Sequence, residues 1–156
     1  MSLERTRQVL LGLPNPVVVL AGSRLRCGRH DHDFLEDAVV RLRAGAVPVG
    51  MVTFRTSGMI IGPECFIEEI APKYGHEVEV YGLLGNTPEK RVHLLNKRDG
   101  IPPSALLDAH ALWLWVTPSE LGTILENPAV ILAQEFGVSV FLFLPESRDF
   151  EVVELV

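Results

Sequence analysis

The sequence predicts an α/β domain built on a mostly parallel sheet of about five strands, and three observations carry that reading. Strand-like and helix-like patterns alternate along the chain. Several strand-like runs are apolar without alternation, as strands covered on both faces are. And 156 residues with 47 % hydrophobic and 22 % charged side chains suit one domain with a sizeable core, taken as residues 1–156, but not two.

In chain order, Pro16 to Ala21 is a β-branched run closed by Gly22-Ser23 and reads as a central parallel strand. Phe34, Leu35, Ala38, Val39 and Leu42 recur at helical spacing, with Asp31 or Asp33 as N-cap and Gly45 as the stop. Val47 to Phe54 reads as the second strand, where Pro48 suggests an edge position or a strand opening. The turn Thr56-Ser57-Gly58 leads to a short helix from about Pro63 to Tyr74, loosened late by Pro72 and ended by Gly75. Glu77 to Tyr81 alternates and reads as the third strand. Gly82 to Pro103 is rich in glycine and charge, with a short helix over Pro88 to Asn96. Ala111 to Val116 is the fourth strand, and the nonapeptide Pro118 to Glu126 a loop into the next helix. That helix carries Ala129, Val130, Leu132, Ala133 and Phe136, and Gly137 stops it. Val138 to Leu144 is the fifth strand, and Ser147 to Val156 suits an edge strand.

Strands alternating with helices imply right-handed crossovers and a sheet covered on both faces, a three-layer Rossmann-like domain. A net charge of −6 with no basic cluster argues against nucleic acid as a partner. No apolar run approaches the roughly 20 residues of a membrane span. The first residues lack a signal-peptide core, and two cysteines make no disulfide framework, so a cytoplasmic setting is expected. Positive mean hydropathy and the alternating tail Phe150 to Val156 predict a homo-oligomer.

In an open α/β sheet, ligands bind beyond the carboxyl ends of the strands. Four loops fall there: Gly22-Ser23-Arg24, Thr56-Ser57-Gly58, Gly82 to Asn86, and Thr117 to Glu126. Backbone amides of such loops suit phosphate or carboxylate groups; equally, small polar residues simply make tight turns. No G-x-G-x-x-G or Walker sequence is present, so nicotinamide and P-loop chemistry are disfavoured and no cofactor is expected. Glu126 is the carboxylate to single out, because a glutamate beside a sugar can attack or stabilise an oxocarbenium-like centre. Thr123 to Glu126 also has the spacing of a capping box, a purely structural device. Pro128 favours Asn127 as N-cap instead, leaving Glu126 in the loop ahead of the helix. Cys27, His30, Asp31, His32 and Asp33 could ligate a metal, but a cap and a solvated turn explain them, and no metal is expected; Asp31 or His32 could instead touch a ligand. Trp113 and Trp115 share one face of a strand and read as core. Arg98 and Asp99 could enter the site from the side, with solvated charge as the alternative.

The order of these motifs resembles the SLOG superfamily of Rossmann-like nucleotide-binding domains. Its marks here are Gly22-Ser23-Arg24 after strand one, Ser57 to Glu64 after strand two, and Leu121-Gly122-Thr123 before the last helix. The P-G-G-x-G-T-x-x-E signature of its lonely-guy phosphoribohydrolases is matched by Pro118, Gly122, Thr123 and Glu126, with Ser119 and Glu120 standing where the first two glycines would. The chain is also similar to nucleoside deoxyribosyltransferases and deoxynucleotide N-glycosidases, through Gly22-Ser23, Gly28-Arg29 and the L-G-x-x-x-E stretch of Leu121, Gly122 and Glu126. The resemblance implies a nucleotide or nucleoside as the small-molecule partner. It implies that Gly22, Ser23, Arg24, Ser57, Gly58, Pro118, Ser119, Gly122 and Thr123 hold it, and that Glu126 acts at the N-glycosidic bond. The alternative, which Ser119-Glu120 favours, is a non-catalytic nucleotide-sensing or structural oligomeric module.

Overall fold

The computed structural model describes residues 2–23, 25–44, 47–58, 61–81, 103–144 and 151–155. Arg24, Gly45, the loop Gly82 to Asn86, the helix expected over Pro88 to Asn96, and Arg98 and Asp99 lie outside the described residues. The order is α1 (Ser2–Leu10), β1 (Val17–Gly22), α2 (Arg29–Arg41), β2 (Thr53–Thr56), α3 (Pro63–Lys73), β3 (Glu77–Val80), α4 (Pro103–Leu106) and β4 (Ala111–Trp115). A 3-10 segment (Pro118–Glu126), α5 (Pro128–Glu135), β5 (Ser139–Leu144) and β6 (Glu151–Leu155) complete it.

The described strands form one sheet in the order β3-β2-β1-β4-β5-β6. All pairs are parallel except β5–β6, which is antiparallel. The fold is therefore α/β with a mostly parallel sheet, of six strands rather than about five; the sixth is the tail. Successive strands move outward from β1 to β3 and then return to the other side of β1 as β4. Strand order thus reverses between β1 and β4, which pair from Val18↔Ala111 to Gly22↔Trp115.

Alternate strand residues feed two separate apolar clusters. Val18, Leu20, Trp113, Trp115, Phe141 and Phe143 join Phe34, Leu35, Ile67 and Ile70 of α2 and α3. Val19, Leu112, Leu114, Val140 and Leu142 join Leu106 of α4 and Val130 of α5. Both tryptophans are core, as the sequence predicts: Trp115 stacks on Phe143 with ring centroids 5.1 Å apart, and the Trp113 indole donates to Thr6 Oγ1 at 2.9 Å. Fully buried rings of this size contribute several kcal/mol each.

Several local expectations are corrected. Helix α1 is not legible as periodic: among its residues with described side chains Leu3, Thr6 and Leu10 are the buried ones, and a buried threonine breaks the apolar signal. The second strand is Thr53–Thr56 and lies between β3 and β1, shorter than the expected Val47 to Phe54, and Pro48, read as an edge position or a strand opening, falls ahead of it. Val49 and Val52, ahead of the strand, are buried in the apolar cluster with α2 and α3, and the Val49 N–H donates to Leu42 O at 2.9 Å. The N-cap of α2 is Gly28, not Asp31 or Asp33; Asp31 sits three residues in, and its Oδ2 accepts from the Gly28 N–H at 3.2 Å. Pro72 does loosen the end of α3, where the Tyr74 and Gly75 N–H groups bond three residues back, to Ala71 and Pro72, before Gly75 turns at φ +78°. In the tail, Val152 joins one apolar cluster and Val153 and Leu155 pack, partly buried, against the other.

Candidate functional site

The site begins where β1 and β4 end. The Ser23 N–H donates to Trp115 O at 3.1 Å, which extends the pairing one residue past β1. Gly22 is required there: a Cβ on it would lie 2.8 Å from Trp115 Cβ and 3.0 Å from Pro63 Cγ. That absence of a side chain lets the start of α3 approach the strand ends. Beyond them opens a cleft of about 210 Å³, whose wall includes Gly22, Ser23, Glu64, Trp115, Glu120 and Asn127. Its size is below the roughly 300–1,000 Å³ of drug-sized sites, so it suits part of a ligand such as one sugar ring.

Two helices start at this cleft, each with proline in its first turn, where a missing N–H costs nothing. Their polar groups are held by the chain itself. Glu64, in the first turn of α3 and only 4 % exposed, accepts from the Ser57 N–H at 2.5 Å and the Ser57 hydroxyl at 2.7 Å. Asn127 caps α5, its Oδ1 accepting from the Ala129 N–H at 2.9 Å. Between them, Glu120 Oε1 accepts from both the N–H and the hydroxyl of Thr117 at 2.8 Å. The nearby cation, Arg26, is turned inward: Nε and Nη2 donate to Val116 O at 3.0 and 2.8 Å, and Nη1 lies 3.7 Å from Asp31 Oδ1. Among the described residues, no lysine or arginine lines the cleft.

The residues singled out in the sequence are distributed unevenly about this cleft. Gly22 and Ser23 line it. Ser57 and Gly58 are buried; the Ser57 hydroxyl is engaged by Glu64, while Gly58 turns at φ +80° and donates to Thr56 Oγ1. Pro118, Ser119, Gly122 and Thr123 are exposed on the 3-10 segment, and the space around a Cβ on Gly122 is open. Thr123 and Glu126, with Glu120, Ile124 and Asn127, line an adjoining depression of about 280 Å³. Glu120 and Asn127 belong to both concavities. Gly22 and Ser23 thus line the cleft and Thr123 the neighbouring depression, while Gly122 lines neither.

The capping box of this segment is formed by Thr117 and Glu120. Thr123 leaves helical geometry at φ −122°, ψ 20°, where the 3-10 segment kinks. Asn127 is the N-cap that Pro128 implies, and Glu126 is exposed just ahead of it, with no described residue bonded to its carboxylate. Of the Cys27 to Asp33 cluster, Cys27 and His30 are exposed, and the His32 ring stands edge-on to Phe66 at 5.1 Å. Among the described residues, no three potential metal-ligating side chains converge.

Sequence reasoning missed the cleft roles of Glu64, Glu120 and Asn127. A signal for Glu120 existed, since Thr117-x-x-Glu120 has the same capping spacing as Thr123-x-x-Glu126, and only the earlier pair directly follows a strand. Among the described residues, no helix is long and apolar enough to cross a membrane. No protein-family model matches this chain, and no curated protein or solved structure is significantly similar to it.

Proposed function

We propose that this chain is a three-layer Rossmann-like domain that binds a ribose-containing small molecule, a nucleoside or nucleotide, in the cleft beyond β1 and β4. One observation carries the reading. The cleft lies where strand order reverses, the usual ligand crevice of open α/β sheets, and its wall carries two carboxylates, an amide and a hydroxyl. In such crevices a carboxylate commonly accepts from ribose hydroxyls. A ligand extending from the cleft past Glu120 and Asn127 reaches the depression bordered by Glu126. Any reaction is then at the N-glycosidic bond, with the Glu126 carboxylate stabilising charge that develops at C1′.

A second reading, a non-catalytic sensing or oligomeric module, has its own support. Glu126 borders the depression and not the cleft, and Leu121, Leu125, Ile131 and Phe136 are exposed on the same stretch of chain.

Melting curves with ribonucleosides, deoxyribonucleosides and their monophosphates test the binding, and chromatographic detection of free base tests the chemistry. Stabilisation with base release supports the enzyme. Stabilisation without release favours the sensing module. No shift with any of these ligands rejects the binding reading.

A further inference from the structure

We propose that the outer face of α5 in one copy of this chain docks into the groove between the ends of α2 and α3 in the next, a head-to-tail contact between opposite faces of the sheet. The proposal is independent of the ligand reading above. It starts from the composition of α5, where Ala129 to Ala133 is an unbroken apolar run. A helix that is apolar all round is ordinarily covered all round. On the inner side, Ala129, Val130 and Ala133 join the apolar cluster beneath α5. On the outer side, Ile131 is 43 % and Phe136 45 % exposed, and Glu135 is exposed with them. Large apolar side chains grouped in this way mark an interaction surface.

The groove is the matching surface. Val39, Val40 and Arg43 from the end of α2, with Lys73 and Tyr74 from the end of α3, line a concavity of about 600 Å³, ample for an aromatic side chain. Lys73 is held by Glu36 at 2.9 Å. Arg43 is exposed; it donates to the Gly75 carbonyl at 3.4 Å, and among the described residues no carboxylate pairs with it. Charge then chooses the occupant. Residues 111–147 contain four glutamates and no lysine, arginine or histidine. A two-fold contact of α5 with itself would bring Glu135 toward Glu135, and a groove-to-groove contact Arg43 toward Arg43. Docking α5 into the groove instead sets Phe136 among Val40 and Tyr74 and brings Glu135 toward Arg43, and complementary charge of this kind fixes the orientation of a contact. Helices α2 and α3 cover one face of the sheet and α5 the other, so the two surfaces cannot meet within one chain. A contact between unlike surfaces is heterologous, and it builds rings or open chains rather than closed dimers.

The experiment is sedimentation of the wild-type chain, Arg43→Glu, Glu135→Arg and the double variant over a range of concentrations at low salt. The wild-type mass should rise with concentration from the 17.2 kDa of one chain to beyond that of a dimer. Each single substitution sets like charges against each other and should weaken association by at least about tenfold. The double variant restores opposite charges across the contact and should associate again, as should an equal mixture of the two single variants. In the wild type, association should also weaken with rising ionic strength, because screening shortens to about 3 Å at 1 M salt; that measurement needs no variant to fold. A wild-type chain that stays monomeric throughout overturns the proposal. So does a dimer that either single substitution leaves intact, the mark of a two-fold contact elsewhere. Single variants that lose association and do not regain it when combined or mixed overturn it too, as does wild-type association that salt leaves unchanged.

Discussion

The amino and carboxyl edges of the parallel sheet solve one problem with opposite chemistries. A parallel sheet leaves backbone groups unpaired at both edges, and buried ones must find partners. At the amino edge, two histidines immediately ahead of strands supply them: His76 Nδ1 accepts from the Val52 N–H, and His110 Nδ1 from the Val17 N–H, both at 2.9 Å. At the carboxyl edge, Glu64 and Glu120 do the accepting. A neutral imidazole closes an edge and leaves no charge behind. A carboxylate accepts the same hydrogen bond and retains a charge beside the cleft. The difference separates an edge closed without charge from one that keeps carboxylates beside a cleft.

The largest expected effect tests the amino edge. His76 is 4 % exposed; burial pushes its pKa from the ordinary 6.5 down to about 4, and the positive charge of Arg43 pushes the same way. Folding therefore disfavours the protonated ring. Above pH 6.5 the group is neutral in both states and costs nothing. As pH falls from 6.5 toward 4, only the unfolded chain gains the proton, and stability drops, levelling off below 4. By pH 4.5 the loss is about 2–3 kcal/mol. Denaturant unfolding at pH 7.5 and 4.5 measures it. His76→Asn offers an acceptor oxygen to Val52 and cannot titrate, so its stability should fall less over the same interval. Parallel slopes for the two proteins would mean that other groups carry the acid sensitivity.

At the carboxyl edge, Gly22→Ala comes next. Its new methyl would meet Trp115 Cβ and the Pro63 ring, and overpacking of this kind costs about 1–3 kcal/mol. Gly122→Ala is the matched control, since its methyl would enter open space and should change stability by less than about 0.5 kcal/mol. Equal melting temperatures for the two variants would show that the approach of α3 to the strand ends is not tight.

Both glycines stand in the sequence as members of short motifs, and nothing local distinguishes the one that is packed from the one that is open. The strands were legible because burial on both faces writes itself as unbroken runs such as Ala111 to Val116. The stop at Gly75 and the cap at Asn127 were legible because glycine and proline restrict the backbone locally. The cleft was legible as a location only, since topology puts ligands beyond strand ends. Its lining was not. Glu64 faces the cleft because it bonds to Ser57 seven residues earlier, and Arg26 is removed from it by a carbonyl 90 residues away. Such tertiary hydrogen bonds have no periodic signature. Thr6 beneath Trp113 hid α1 for the same reason.

Asn127→Ala separates the cap from the residue before it. The Asn127 side chain satisfies an N–H at the start of α5, and its loss should cost about 1 kcal/mol, read as a lower denaturation midpoint with an unchanged slope. A loss below about 0.3 kcal/mol would show that water replaces the cap.

Glu126→Gln is the smallest expected change in stability and the sharpest test of the neighbouring hollow. The side chain is exposed and bonded to no described residue, and the capping box of this segment is formed by Thr117 and Glu120 instead. Removing its charge should therefore shift unfolding free energy by less than about 0.5 kcal/mol. If Glu126 stabilises charge at C1′, the same substitution should slow base release by at least about 10²-fold, because preorganised electrostatic contacts of this kind contribute a few kcal/mol to a transition state. Ligand affinity should change much less than rate, since the charge it meets develops only during bond breaking. A variant that loses stability and activity together would assign Glu126 a structural part. One that binds and releases base as the wild type does would give Glu126 no part in the chemistry.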